Sequence, residues 1–342
     1  MTVKPNYALW DINPKQFPQK NLKEQLKFIC AYGHLAPSSH NTQPWKFKIT
    51  ENTIEVHADL NRRLKIADPT NKELYISVAC TIPNLELAGK YFGLIPHITL
   101  LPNPSIPNHV ATIKFKQIDQ PLAKDELFEY IIKRLTNRSK FKKGKPLPIA
   151  YQTELTNKIK DYPIQLKIFQ SAGELKTMAQ LTKEGMFAAL SNPAFRTELS
   201  HWVRHSWTDK GDGLPANTLG IPDAASIMIV PMVRSPFMAS ESSKTEFKLI
   251  LSSSAIGVLF APQNSLKYWI QTGILYETLA LITCKHNLAI EPLSAAIEMD
   301  TQKKQLKQIA KTIAEPMMFF RIGFAGKKFP HAPRRPLAQV IF

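Results

Sequence analysis

Apolar and polar positions alternate along residues 45–58 in two matched runs. Trp45, Phe47 and Ile49 share one parity, Ile54, Val56 and Ala58 another, and the polar turn "TENT" (50–53) lies between them. A period of two on both sides of a turn predicts a hairpin with one buried face. Elsewhere the period is helical. Leu22, Leu26, Ile29 and Cys30 recur at helical spacing through 21–34, and Pro37 blocks continuation. A long helix is predicted from about Lys72 to Phe92, stopped by Gly93 with Pro96 just beyond. "PNPSIPN" (102–108) reads as a loop and "VATIKFK" (110–116) as a strand. In "PLAKDELFEYIIKRL" (121–135), Leu127, Ile131 and Leu135 fall on one helical face, and a second unit is predicted to begin near Pro121. "SAIGVLFAP" (254–262), short and apolar between breakers, predicts a buried strand; Asn264 or Ser265 would then cap a helix running to Lys285.

The two halves echo each other. "AGKYFGLIP" (88–96) and "ITCKHNLAIEP" (282–292) each end a helix, at Gly93 and Asn287, and continue with a leucine and then a proline. Glycine and asparagine are the residues that best tolerate a left-handed helix cap. An α+β protein of two helix-rich halves, 1–118 and 119–342, is the layout this predicts.

Composition narrows the functional classes. A chain of 342 residues with 44% hydrophobic content can bury a sizeable core, which excludes wholesale disorder. The net charge of +17 attracts anions, from nucleic acid to phosphorylated small molecules. The basic residues are scattered, and no helix-turn-helix, RNP or zinc-finger pattern is present, so nucleic acid is not the expected partner. Cys30, Cys80 and Cys284 lack CxxC spacing and read as reduced core thiols. The start has no apolar run of signal type, and "ASIMIVPMV" (225–233) is too short to span a bilayer. A soluble, cytoplasmic protein without a membrane partner is expected.

Several chemistries lose ground. No P-loop, GxSxG or HExxH occurs, and "KGDGLP" (210–215) lacks the third glycine of a dinucleotide fingerprint. His201 and His205 in "HWVRH" would share a helical face and could hold a divalent metal. Nothing else in that segment has metal-ligand order, so no metal is expected.

One stretch needs more explanation. "APSSHNTQPW" (36–45) sets six consecutive hydrogen-bonding side chains between two prolines and leads into the strand beginning at Trp45. With Phe47 it resembles the "PSSxNxQPWxF" signature of the nitroreductase family of FMN proteins. "ADLNRRLKIADPTNKELYISVACTIPNLELA" (58–88) is similar to the Acg-type branch of that family, as are "RLTNRSKF" (134–141), "EPLSAAIE" (291–298) and "HAPRRPLAQV" (331–340).

That resemblance implies a nitroreductase-like α+β fold in which two tandem halves mimic the family dimer, each a sheet flanked by helices, with one FMN and no need of a second subunit. Ser38, Ser39 and Asn41 would contact the ring and ribityl chain, and Gln43 would either join them or fix the loop. Arg134, Thr136 and Arg138 match the R-x-[ST]-x-R spacing used for phosphate and ring-edge contacts. Arg334 and Arg335 match the C-terminal basic position, one of them touching phosphate. Pro292, Leu293, Ser294 and Ala295 match the turn whose backbone N–H faces flavin N5. Arginine forks suit a phosphate dianion, and a cation at the pyrimidine edge stabilises charge on a reduced ring. Trp45 is a core anchor instead, alternating with Phe47.

The activity implied is hydride transfer from NAD(P)H, through the flavin, to a nitro- or quinone-type acceptor. No side chain is assigned as catalytic, since the flavin carries the chemistry. The segment 195–223, rich in Trp, His and Arg, reads as a lid over the flavin. If it covers the ring, the alternative is a non-catalytic protein that holds FMN without turnover.

Overall fold

The computed structural model describes residues 4–117 and 124–342. The expected junction between the halves at 118/119 and the predicted start near Pro121 lie outside the described residues.

Asn21 opens the first helix by accepting a hydrogen bond from the Glu24 N–H, and α1 (Leu22–Gly33) follows. The predicted hairpin forms as β1 (Trp45–Thr50) and β2 (Thr53–Ala58), with Trp45 opposite Ala58 and Phe47 opposite Val56. The long helix predicted over 72–92 is instead two, α2 (Lys72–Ala79) and α3 (Thr81–Tyr91). Pro83 explains the break: it has no N–H for the Ala79 carbonyl, and its ring crowds that carbonyl. Gly93, at φ +78°, then turns the chain into β3 (Leu94–Leu100), a strand unforeseen because of Pro96. The antiparallel sheet order β1-β2-β4-β3, with β4 at His109–Gln117, puts Pro96 on an edge strand, where a missing donor is tolerated.

The helix predicted over 121–135 is, in its described part, a short 3₁₀ turn at Glu126–Tyr130 that Asp125 caps through the Leu127 N–H. Continuation as an α-helix would conflict with the next contact. Thr136 lies in a parallel bridge with Ile290, and the Asn137 N–H donates to the Ile290 carbonyl.

Beyond this come α4 (Ile149–Ile159), β5 (Gln165–Phe169), α5 (Ala172–Ser191) and α6 (Pro193–Ser200). The two-residue strands β6 (Val203–Arg204) and β7 (Leu214–Pro215) pair with each other before α7 (Ile229–Arg234) and α8 (Phe237–Ile250). The predicted buried strand is β8 (Ala255–Ala261), and the helix to Lys285 is α9 (Leu266–Lys285). Asn264 does not cap that helix; its carbonyl accepts the Trp269 indole N–H. Asn287, at φ 56°, ends the helix as its asparagine character suggested. The chain finishes with β9 (Ala289–Pro292), α10 (Ala295–Glu298), α11 (Asp300–Ile309) and β10 (Glu315–Gly323). The second sheet runs β5-β8-β10-β9, all antiparallel, and Pro316 of β10 sits where the register slips at a bulge.

The first sheet is thus built from residues 45–117 and the second from 165–323. One continuous core joins them, including Trp45 and Leu85 from the first region with Tyr276 and Phe320 from the second. Helices α2 and α9 pack together because Gly273 of α9 has no side chain; a Cβ there would collide with the Ile76 carbonyl and come within 2.7 Å of Ala79 Cβ. The C-terminal segment returns to the first sheet, where the Phe342 N–H donates to the Phe47 carbonyl at 3.0 Å. Among the described residues no helix is long and apolar enough to cross a membrane.

Candidate functional site

The decapeptide 36–45 cannot extend either neighbouring element, because prolines flank it and its backbone turns left-handed three times. His40, Asn41 and Gln43 have φ values of 49°, 54° and 51°. Local bonds hold that conformation. The Gln43 N–H donates to Ser38 Oγ at 2.9 Å, Ser39 Oγ donates to Glu73 of α2 at 2.6 Å, and the Ser39 N–H donates to Ser77 Oγ at 3.2 Å. The loop therefore rests on α2, and Ser38 and Ser39 face open space.

That space is a cavity of about 290 Å³, near the lower end of small-molecule sites, roughly 300–1,000 Å³. The loop and α2 form one wall. The other comes from the C-terminal elements: Tyr276 of α9, Pro292 of β9, Leu293 and Ser294 after it, and Glu246 of α8. Thr136 and Arg138 complete the lining. Ser39 and Arg138, read from opposite ends of the sequence pattern, face the same cavity.

A narrower cleft of about 40 Å³ adjoins it and shares Pro37, Ser38, Thr136, Arg138 and Leu214. Its distinguishing side chains are Arg134, Arg334, His331 and Trp10. Trp10 stacks on His331 at 3.9 Å, and the Arg334 guanidinium lies 4.7 Å from the Trp10 ring centre. Burial, then the charges of Arg134 and Arg334, pushes the His331 pKa down to about 3, so its ring is neutral. The cleft is electropositive: Arg134, Arg138 and Arg334 are offset by Glu277, 3.2 Å from Arg134, and Glu291, 3.8 Å from Arg138.

The four arginines singled out by the sequence differ in what their donors do. Arg334 is saturated: it donates to the carbonyls of His34, Leu35, Ala36 and Pro333 and to Asn41 Oδ1. Arg335 lines neither cavity and donates to the Gln43 carbonyl at 2.7 Å. Arg134 is almost wholly buried, donates from Nη2 to the Leu35 carbonyl, and has its Nε 3.2 Å from Glu277 Oε1. Arg138, a quarter exposed, has among the described residues only the distant Glu291 as an ion partner.

Three expected contacts fall outside both cavities. Gln43 is fully buried, donating to the Asn41 and Gly211 carbonyls and accepting from the Arg335 N–H, so its amide fixes the loop. Ala295 packs against Gly185 of α5. Arg335 is the third, held by Gln43 as described. Asn41 lines only the narrow cleft, and both its amide donors go to backbone carbonyls, Gly213 and Pro333. In the turn at 292–295 the Leu293 N–H is already committed to the Phe319 carbonyl at 2.8 Å. Trp45 is fully buried, as expected of an anchor; its indole N–H donates to His34 Nδ1 at 2.8 Å.

Other lining residues had no pattern to betray them. Glu246, Tyr276 and Met186 come from helices whose apolar faces look ordinary, whereas Glu73, Ser77, Glu291 and His331 lie within stretches already singled out without being named as contacts. Glu246 stands out chemically. Burial, then the charge of Glu291, raises its pKa to about 8 against the opposing pull of Arg321 and Arg138.

The segment 195–223 contributes Leu214 and Thr218 to the site and ties to the loop after β2. Asp212 bonds Arg204 at 2.8 Å and also pairs with Arg62, which lies 5.4 Å from the Trp202 ring. Leu214 from this segment lines both cavities. His201 and His205 do not share a helix, since α6 ends at Ser200, and they form no metal cluster among the described residues.

An α+β protein with a cavity of mixed lining that opens into a basic cleft, lined from both ends of the chain, is the class these features define. No family model matches the chain. It is similar along nearly its whole length to "Putative NAD(P)H nitroreductase acg" of Mycobacterium tuberculosis, 23% identical over 326 residues, 94% of this chain and 95% of that one. A second protein of that organism, "Uncharacterized protein Rv3127", is 22% identical over 328 residues, 94% of this chain and 92% of its own. The resemblance to Acg-type nitroreductases read from the motifs therefore extends over almost the full length. Among solved structures, the FMN and NADPH-dependent nitroreductase NfnB of Sphigopyxis sp. strain HMH overlaps 64% of this chain and 98% of its own at TM-score 0.42 and 14% identity. The FMN-dependent NfnB of Mycobacterium smegmatis, solved with NADPH, overlaps 62% and 94% at TM-score 0.40 and 16% identity. Overlap at that level decides nothing by itself.

Proposed function

We propose that the chain is an FMN-dependent oxidoreductase of nitroreductase type, accepting hydride from NAD(P)H and reducing a nitro- or quinone-type acceptor. The observation that carries this reading is the division of one continuous site into a larger cavity, with Ile76, Tyr276, Leu293 and Met318 among its mixed lining, and a narrower basic cleft that share Ser38, Thr136 and Arg138. A flavin mononucleotide divides in the same way, into a flat ring and a phosphate dianion joined by a hydroxylated chain. The residues fit it. Arg138, whose Glu291 partner is 3.8 Å away, has donors to spare for an anion in the basic part, where Arg134, paired with Glu277, adds positive charge.

When bound, the flavin supplies reversible hydride transfer. The chain's residues bind and orient it. Ser38, Ser39 and Thr136 offer hydroxyls, Tyr276 and Leu293 an apolar surface, and Arg138 a positive charge. With the Leu293 N–H committed, Ser294 is the member of its turn left to present a backbone donor to the cavity. Arg334, rather than Arg335, belongs to the cleft, where it fixes the carbonyls of 34–36. We read the layout as two tandem nitroreductase-like halves, meeting near residues 118–119, in a cytoplasmic monomer. The C-terminal half supplies the second wall that a partner subunit would otherwise provide.

The alternative, a protein that holds FMN without turnover, is supported by one observation: Arg62 and Arg204 both pair with Asp212 and fasten segment 195–223, which we read as a lid. The absorbance spectrum of purified protein, followed by anaerobic NADPH or NADH, separates the two. A yellow protein bleached by a nicotinamide is the expected result. Bleaching by dithionite alone would favour the alternative, and a colourless protein that FMN cannot reconstitute would defeat both.

A further inference from the structure

We propose that Glu55, His57 and His109 form a divalent transition-metal site on the first sheet, separate from the cavity and cleft. None of the three lines either of those spaces. Strand geometry brings them together. Glu55 and His57 are two apart on β2, so their side chains leave the same face, and His57 pairs in register with His109 of β4. The register slips at this pair, so that Val56 pairs with Ala111 while Val110 is passed over, which sets His109 beside the other two. The sequence offers no hint, since His109 lies far from the "IEVHA" strand and no ligand motif spans them.

The geometry points to an ion. One ligand atom from each residue lies within 4.8 Å of the others. His57 Nε2 is 2.8 Å and His109 Nε2 4.0 Å from Glu55 Oε2, with side chains only 15–21% exposed. Tetrahedral zinc, with bonds of about 2.0–2.1 Å, wants ligand atoms roughly 3.3 Å apart, so the two distances bracket the requirement. The imidazole rings stack with centres 4.5 Å apart. Thr112 Oγ1, 2.9 Å from His109 Nε2, occupies that nitrogen until a metal displaces it. Lys48 Nζ, 3.3 Å from Glu55 Oε1, is a competing cation. Two imidazoles and one carboxylate suit zinc, nickel or copper rather than magnesium or calcium, and leave a fourth position to water.

The test uses the full chain without a histidine tag, stripped with EDTA and titrated calorimetrically with zinc chloride. One equivalent should bind and raise the melting temperature, an effect that His57→Asn with His109→Asn abolishes and Glu55→Gln weakens by at least about tenfold. Lys48→Met should tighten binding by removing the competitor. As a measurement that needs no variant, cobalt(II) should give the intense visible bands of a four-coordinate ion. Less than stoichiometric zinc, zinc binding unchanged in the double histidine variant, or a cobalt spectrum of the aquo ion would each overturn the proposal.

Discussion

Arg334 donates from Nη1 to Asn41 Oδ1 at 3.0 Å, although 293 positions separate the two residues. This bond locks the left-handed loop near the beginning of the chain to the tail near its end. The same guanidinium ties down the carbonyls of His34, Leu35 and Ala36, so the end of α1 and the loop that follows form one rigid wall of the site.

Replacing Arg334 with alanine should therefore cost stability first. It would leave several buried carbonyls without partners, a loss of about 3–5 kcal/mol. Urea unfolding should show a markedly lower midpoint with an unchanged slope, and lysine, which lacks the fork, should recover only a small part.

Arg138→Ala should act the other way round. Its side chain is a quarter exposed and its ion partner is 3.8 Å away, so folding should be little affected. Loss of charge-assisted bonds to an anionic ligand costs about 1.5–3 kcal/mol, which is about tenfold to a hundredfold in FMN affinity. Flavin fluorescence quenching measures this, and an unchanged dissociation constant would remove Arg138 from the site.

The buried carboxyl of Glu246 makes stability depend on pH. Its folded pKa, near 8, lies above the ordinary value of 4.5, so between these pH values the native state holds a proton that the unfolded chain has released. Stability contributed by this group is full below about pH 4.5 and declines as pH rises towards 8. Glu277, raised to about 7 by burial against the pull of Arg134, adds to the decline. Glu246→Gln should flatten the slope by up to about 1.4 kcal/mol per pH unit across that window. Denaturant melts from pH 5 to 8 would read it, and parallel curves for variant and wild type would contradict the assignment.

Gly273→Ala should loosen the packing of α9 on α2, because the added methyl meets the Ile76 backbone, which cannot rotate away. A loss of about 3 kcal/mol or more is expected by thermal denaturation. Restoration by a second change at Ala79 to glycine should be partial, since the Ile76 carbonyl remains in the way.

Local physics was legible in the chain itself. The hairpin at 45–58, the buried strand at 255–261, the stops at Gly93 and Asn287 and the anchoring role of Trp45 all follow from periodicity, turn chemistry and residue size. The excess of hydrogen-bonding side chains in 36–45 was legible too, and 134–138 stood out by its resemblance to a flavin-binding motif. Errors arose where a long-range contact overrode a local preference. The bridge of Thr136 to Ile290 replaced the helix predicted over 121–135, and an edge position allowed Pro96 into a strand.

What the sequence by itself determined is the character of segments such as the hairpin at 45–58, α1 and α9, because those preferences are set by neighbours a few residues apart. Only the tertiary structure decided which polar groups remain available. Gln43, Arg334 and Arg335 look like ligand contacts as letters, yet Gln43 donates to the Asn41 and Gly211 carbonyls, Arg334 to carbonyls of 34–36 from the other end of the chain and Arg335 to the Gln43 carbonyl, whereas Arg138 keeps donors free. Glu246 and the Glu55–His57–His109 cluster could be found only in three dimensions, since strand register and helix packing, not spacing along the backbone, set their neighbours.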